Sequence, residues 1–197
     1  MFLTISFERR TLLLNSALFI HKTYHLLTFN LIKPYKPNKN NMAETSSQIY
    51  IHIILVVKHR QHMIPQENRE QLFDFISVTL EEFNQKPLAI KGTGDHLHVL
   101  FSLGPKYSLA EVVREIKSKS TLFIHNQKWI KGRFCWQLSY AAFSYSRSHL
   151  EAISAYIGNQ EEVHRRLSCR EEFIEFLKKF NIEFDEKYLF RFPEEEG

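Results

Sequence analysis

"GDHLHVLFSL", residues 94–103, sets two histidines one residue apart inside an apolar run. Successive side chains of a β-strand point to opposite faces. His96, His98, Leu100 and Ser102 therefore share one face, and Leu97, Val99, Phe101 and Leu103 share the other. The second set is uninterrupted in its apolarity, so it is expected to lie under helices. The first set then points to an open face, with its imidazoles about 7 Å apart along the strand. Two imidazoles so placed can converge on one metal ion. Read alone, the pair also fits two exposed strand histidines.

The neighbouring segments supply the rest of a fold. Residues 49–58, "IYIHIILVVK", are rich in β-branched residues and read as a strand. Pro65 stands where a helix begins, and Leu72, Phe73, Phe75, Ile76, Leu80 and Phe83 then recur at helical spacing through Asn84. "KPLAIKGTG", residues 86–94, runs as a short strand into a Gly-rich turn, which makes a hairpin with the strand from Asp95 to Leu103. Ser108, with Glu111 three residues later, has the signature of a capping box that opens a helix through Asn126. Residues 134–145, "FCWQLSYAAFSY", suit a fourth strand, with Trp136 and Tyr140 packing on one face. Ser148 and Glu151 read as a second capping box, opening a helix to about Arg166, and a last helix covers roughly Arg170 to Phe180. From Ile49 to Tyr145 the order is β-α-β-β-α-β, an α+β, ferredoxin-like (RRM-like) antiparallel sheet with both helices on one face. The helix after the fourth strand is an addition to that unit.

The 197 residues, 44% hydrophobic with 17 Phe, are ample for a core and exclude global disorder. Cys135 and Cys169 lack metal-ligand spacing and make no disulfide framework, which points to a reducing, intracellular setting. The formal charge of +4 is unevenly spread. Residues 1–41 hold six bases and one acid, and the rest holds twenty bases and twenty-one acids, so the global balance does not argue for DNA binding. Between Lys106 and Arg133, however, seven bases face two acids, and this segment can meet phosphates. The leader is different in character. "RRTLLLNSALFI" carries an apolar run too short for a membrane span of roughly 20 residues. "KPYKPNKNN" then breaks the chain just before Met42. Residues 1–41 are read as an extension preceding a domain over 42–190, with an acidic tail at 191–197.

Tyr156 and Gln160 stand at i and i+4, hence on one helix face. Tyrosine can act as a nucleophile, and glutamine offers a neutral oxygen ligand. "GDHLHVL", "PKYSLAEVVREIKSKST" and "FCWQLSYAAFSYSRSHLEAISAYIGNQEEVHRR" together resemble the single-tyrosine transposases of small bacterial insertion sequences. These belong to the His-hydrophobic-His nucleases and include relatives associated with repetitive extragenic palindromes. The resemblance runs from about Ile49 to Leu189. Ser139 and Ala141 replace glycines common in relatives, and Gly158 stands where an acid is common; no functional group is lost. The resemblance implies that His96, His98 and Gln160 ligate a divalent metal, Mg²⁺ or Mn²⁺, and that Tyr156 is the nucleophile. It implies cutting and rejoining of single-stranded DNA at hairpin-bearing element ends through a 5′-phosphotyrosine link. It also implies a homodimer whose Tyr helices serve the partner's His pair, in the bacterial cytoplasm, with no membrane.

Arg114, Lys117 and Lys119 are candidates for DNA phosphate contacts, though an exposed helix face gives the same pattern. His52 is assigned no role, and His149 and His164 read as solvated. Three other functions fit parts of the pattern. A replication initiator or relaxase shares the chemistry but usually needs more domains. A domesticated nuclease would cut its own genomic repeats. A non-catalytic nucleic-acid module would have no need of Tyr156 with Gln160.

Overall fold

The computed structural model describes residues 47–58, 62–185 and 189, all within the unit Thr45–Gly197. The expected extension at 1–41 and the tail at 191–197 lie outside the described residues. The elements are β1 (Tyr50–Val56), α1 (Arg69–Glu82), β2 (Lys86–Gly92), β3 (His96–Ser102), α2 (Leu109–Gln127), β4 (Ala141–Tyr145), α3 (Leu150–Gly158), α4 (Gln160–Val163) and α5 (Cys169–Lys179). Through β4 this is the expected β-α-β-β-α-β order. The four strands form one antiparallel sheet in the order β2-β3-β1-β4. Among the described residues no helix is long and apolar enough to cross a membrane.

The alternation in β3 sorts its side chains as expected. Leu97, Val99 and Phe101 join Ile51, Ile53 and Leu55 of β1 under Leu72, Ile76 and Leu80 of α1 and Val112, Val113 and Ile116 of α2. The Ser108–Glu111 capping box forms, with Ser108 Oγ accepting from the Glu111 amide and Glu111 Oε2 accepting from the Ser108 amide at 2.8 Å.

The other face is not open. Ile54, Val56, Leu100 and Phe143 are covered there by Ile153 and Ile157 of α3 and Phe176 and Leu177 of α5. The described residues of this unit therefore form three layers, and His96 and His98 are fully buried between the sheet and its second helical cover.

Three local expectations are corrected. The fourth strand is only Ala141–Tyr145. Upstream of it Trp136 makes one isolated bridge to Val57 and donates its indole N–H to Ser120 Oγ at 2.8 Å. Tyr140 lies outside any strand, under Lys117 Nζ. The Ser148–Glu151 capping box does not form. A 3₁₀ turn at Arg147–His149 makes His149 the N-cap of α3, which moves Glu151 out of the position a box requires. The helix expected to reach Arg166 is broken at Asn159 into α3 and α4. A capping box not foreseen, Ser168 with Glu171, opens α5.

The β2–β3 hairpin requires glycine at residue 92, the last of β2, which pairs with Leu97. A Cβ there would meet the His96 carbonyl oxygen at 2.3 Å and the Leu97 Cα at 2.8 Å, both backbone atoms of the strand that carries the histidines. Gly92→Ala should therefore cost about 1–3 kcal/mol in urea unfolding, as overpacking does. Gly158→Ala, where a Cβ meets nothing within 4 Å, should instead gain up to about 1 kcal/mol from helix propensity.

Candidate active site

β3 delivers His96 and His98 to the same buried face, and the hairpin turn orients the first of them. Asp95 Oδ1 lies 2.7 Å from His96 Nδ1, and Thr93 Oγ1 lies 2.9 Å from the same nitrogen. Thr93 also donates to Asp95 at 2.6 Å. Burial opposes ionisation of Asp95, but the bond and charge of His96 together with the bond from Thr93 outweigh it and hold the carboxyl well below the usual carboxylate range. His98 is oriented from the neighbouring strand, its Nδ1 lying 2.9 Å from His52 Nε2. In the β1–β3 register His52 faces Leu100, two pairs along from the Ile54–His98 pair, so the two rings meet on the diagonal of one sheet face. Burial depresses both the His52 and His98 pKa values.

The second helical layer brings the remaining groups. Tyr156 comes from α3, Gln160 opens α4, His164 follows α4, and Glu172 lies in the first turn of α5. Glu172 joins them all. Its Oε1 accepts a hydrogen bond from the Tyr156 hydroxyl and another from Gln160 Nε2 at 3.0 Å. Its Oε2 lies 3.2 Å from His98 Nε2, 3.2 Å from His164 Nε2 and 3.6 Å from His96 Nε2. Gln160 Oε1 is 3.0 Å from His164 Nε2, and His164 Nδ1 donates to the Leu167 carbonyl at 2.9 Å. Burial alone would push the Glu172 carboxyl up; the bonds from His164 and His98 hold it far below the carboxylate range. Burial and then the Glu172 bond push the Tyr156 phenol well above its ordinary value, so the hydroxyl is neutral at rest.

The residues fit a metal ion. His96, His98, His164 and Glu172 each offer a ligand atom, all within 4.8 Å of one another. His96 Nε2 is buried and makes no hydrogen bond, a state that costs about 1–3 kcal/mol and that a cation on its lone pair relieves. Tyr156 and Glu172 also line a cleft of about 270 Å³, with His149 and Lys179 among its walls.

One chain thus brings together Tyr156, His96, His98 and Gln160, with His98 and Tyr156 ring centroids 6.4 Å apart. The expectation of a site shared between subunits is not needed to assemble these groups. Arg114, Lys117 and Lys119 are elsewhere, on α2 of the first layer. Arg114 is largely exposed beside Glu115 at 3.6 Å, and Lys119 pairs with Glu82 at 2.7 Å. Lys117 donates to the carbonyls of Gln137, Leu138 and Ser139 at 2.9–3.0 Å, and burial lowers its pKa to about 8. Its ammonium ties down the segment before β4.

Sequence reasoning misses Glu172 and sets aside His52 and His164. His164 has a signal, since Tyr156, Gln160 and His164 form one i, i+4, i+8 row. Glu172 has none, because its approach depends on how α5 docks.

The family model described as "Transposase IS200 like" matches residues 45–160. Two curated relatives, each a transposase for insertion sequence element IS200, come from Salmonella typhimurium (strain LT2) and Salmonella typhi. Each is 26% identical over 90 residues, 46% of this chain and 59% of the relative. The chain thus spans less than two thirds of the length of those relatives. Among solved structures, that of the REP-associated tyrosine transposase bound to a REP hairpin has 15% identity and a TM-score of 0.48, covering 62% of this chain and 74% of that one.

The site's pH response follows from two opposed shifts. Glu172 is held below its ordinary 4.5, so its contribution to stability is complete above about pH 4.5 and fades as pH falls. His164 is affected first by burial, which lowers its pKa, but the bond to Glu172, the charge of that carboxylate and the bond to the Leu167 carbonyl together prevail and hold it above 6.5. Its contribution is therefore complete below about pH 6.5 and fades as pH rises. In chelator-treated protein, the stability lost in Glu172→Gln should peak between these two values, measured by thermal melts across pH. A loss independent of pH would show that the two groups are not paired.

Proposed function

The chain belongs to the IS200-like transposases, and from that premise we propose that it cuts and rejoins single-stranded DNA by transesterification, with Tyr156 as nucleophile. The observation that carries this reading is the convergence of the Tyr156 hydroxyl and the His96–His98 pair on one buried carboxylate within a single chain.

Tyr156 Oη attacks the scissile phosphorus. The Oη–P bond forms, the P–O3′ bond breaks, the phenol loses its proton, and the departing 3′ oxygen takes one up. The product is a 5′-phosphotyrosine that conserves the phosphodiester, so a 3′-OH from another end can reverse the step without a nucleotide cofactor. Glu172 holds the phenol hydrogen in place, which fixes the direction of the oxygen lone pairs. Phe176, whose ring centroid is 5.6 Å from that of Tyr156 in an edge contact, restrains the ring itself.

His96 and His98 would hold a divalent ion, Mg²⁺ or Mn²⁺ by family likeness, with Gln160 as a neutral oxygen donor at the edge of the cluster. When bound, the cation supplies Lewis-acid stabilisation of charge on the phosphate oxygens. The anchored Nδ1 atoms of both histidines keep their Nε2 atoms aimed inward. Hairpin-bearing element ends are the proposed substrate, as family likeness implies. Arg114, the most exposed of the α2 cations, is the proposed phosphate contact on that helix. A homodimer remains part of the proposal, with each site complete in its own chain, because Tyr156 is already seated beside His98 of the same chain.

Incubated with Mn²⁺ or Mg²⁺ and single-stranded DNA from the flanks of its gene, the native protein should form a covalent 5′-linked adduct, and Tyr156→Phe should form none. An adduct that persists in Tyr156→Phe would remove Tyr156 from the reaction. Mixing Tyr156→Phe with His96→Ala protein should not restore activity. Recovery would show that subunits exchange their Tyr helices.

A further inference from the structure

Two side chains at the centre, His164 and Glu172, lie beyond the stretch that the family model matches, which ends at residue 160. The function proposed above does not require either of them as a ligand. We propose that both are metal ligands, so that the site is a three-imidazole, one-carboxylate centre for a borderline transition ion such as Mn²⁺, Co²⁺ or Zn²⁺. This inference rests on the metal-assisted reading above and specifies its ion and its ligands.

The first observation is how the three imidazoles are held. Each has its Nδ1 engaged by a different partner: His96 by Asp95 Oδ1 at 2.7 Å, His98 by His52 Nε2 at 2.9 Å, and His164 by the Leu167 carbonyl at 2.9 Å. Each turns its Nε2 toward the same oxygen, Glu172 Oε2. Metal-bound histidines characteristically tie their outer nitrogen to a carboxylate, carbonyl or other acceptor, which fixes the tautomer and raises ligand basicity. Three independent instances of that pattern aimed at one point exceed what a strand pair of exposed histidines would show.

The second observation is spacing. Ligands bonded at about 2.1 Å lie about 3.0 Å apart on an octahedron and about 3.4 Å apart on a tetrahedron. The distances of 3.2, 3.2 and 3.6 Å from Glu172 Oε2 to the three Nε2 atoms are edges of that size. His164 is in direct ring contact with His96, their centroids 4.5 Å apart, so it belongs to the same cluster as the strand pair.

The third is donor chemistry. Mg²⁺ favours oxygen ligands and retains water, whereas imidazole-rich sites favour later first-row ions. Three neutral imidazoles and one carboxylate leave a divalent ion with net positive charge, which suits an anionic phosphodiester. Glu172 then has two duties on two oxygens. Oε2 faces the ion's position, and Oε1 holds the Tyr156 hydroxyl. Loading the ion and seating the nucleophile thus depend on the same side chain of α5.

Co²⁺ titration followed by visible absorption and isothermal calorimetry tests the assignment on the full chain. Native protein should bind one Co²⁺, and millimolar Mg²⁺ should not displace it. His164→Ala and Glu172→Gln should each weaken binding at least about 10-fold, and His96→Ala should do so as well. X-ray absorption of Co²⁺-loaded native protein, which involves no variant, should count three imidazoles. A count of two, or His164→Ala and Glu172→Gln binding Co²⁺ as the native protein does while His96→Ala fails, would overturn the inference and leave the metal-assisted reading standing. Native protein that binds neither Co²⁺, Mn²⁺ nor Mg²⁺ would overturn both.

Discussion

The carboxylate of Glu172 is buried to 1% exposure among three imidazoles, an amide and a phenol, and the placement of the whole second layer depends on it. Moving an ionised carboxylate out of water costs several kcal/mol even after relaxation. That cost is tolerable only where the acceptor positions are filled, and here Tyr156, Gln160, His98 and His164 fill them. Removing any one partner leaves charge less compensated, so the arrangement is self-consistent only when α3, α4 and α5 are docked together. The apolar contacts that dock them lie beside it. Phe176 stacks on Phe143 with ring centroids 5.2 Å apart, and Ile153, Ile157 and Leu177 fill the same layer. Hydrophobic burial brings α5 to the sheet, and the polar cluster sets its register.

How much of this can be read from the chain depends on the range of each interaction. The β3 alternation, the hairpin turn and the Ser108–Glu111 cap are local, and all three form. The expectation of an open face fails, yet the chain carries a sign against it. In "YIHIILV" the residues on the histidine side of β1 include Ile54 and Val56, which an exposed face would seldom carry. A strand apolar on both sides is a strand covered on both sides. Glu172 is different, because nothing in its neighbourhood separates it from Glu171, which caps the same helix in water. Only the tertiary approach of α5 distinguishes the buried carboxylate from the capping acid that precedes it in the chain.

Charge counting fails for a related reason. The basic segment from Lys106 to Arg133 suggests a phosphate-binding face, yet its cations have differing duties. Lys117 satisfies three carbonyls of the irregular stretch before β4, and Lys119 is paired across to α1 through Glu82. The irregular stretch ends in β4, which pairs with β1 beside His52. Lys117 therefore contributes to the site from the far side of the sheet, by fixing the run into the strand that flanks it. A net charge of the segment could not distinguish that task from DNA contact.

His52 shows how deep the ordering of the site extends. For His98 to offer a lone pair at Nε2, its proton must reside on Nδ1 and be donated to His52 Nε2. His52 must then carry its own proton on Nδ1, a buried atom without a hydrogen-bond partner. The opposite assignment would place an N–H on His98 Nε2 facing the Glu172 oxygen at 3.2 Å, a good hydrogen bond but no ligand. In the proposed centre the two tautomers of the pair would be two states, one closed on Glu172 and one free to take a cation. His52 Nδ1 lacks a partner in either tautomer, so while no cation competes the closed tautomer is favoured by the hydrogen bond that His98 Nε2 donates to Glu172, and coordination of His98 Nε2 would supply the compensation for losing it. His52, left without a role by the sequence, is the residue through which β1 contacts His98 Nδ1 and thereby couples to its tautomer.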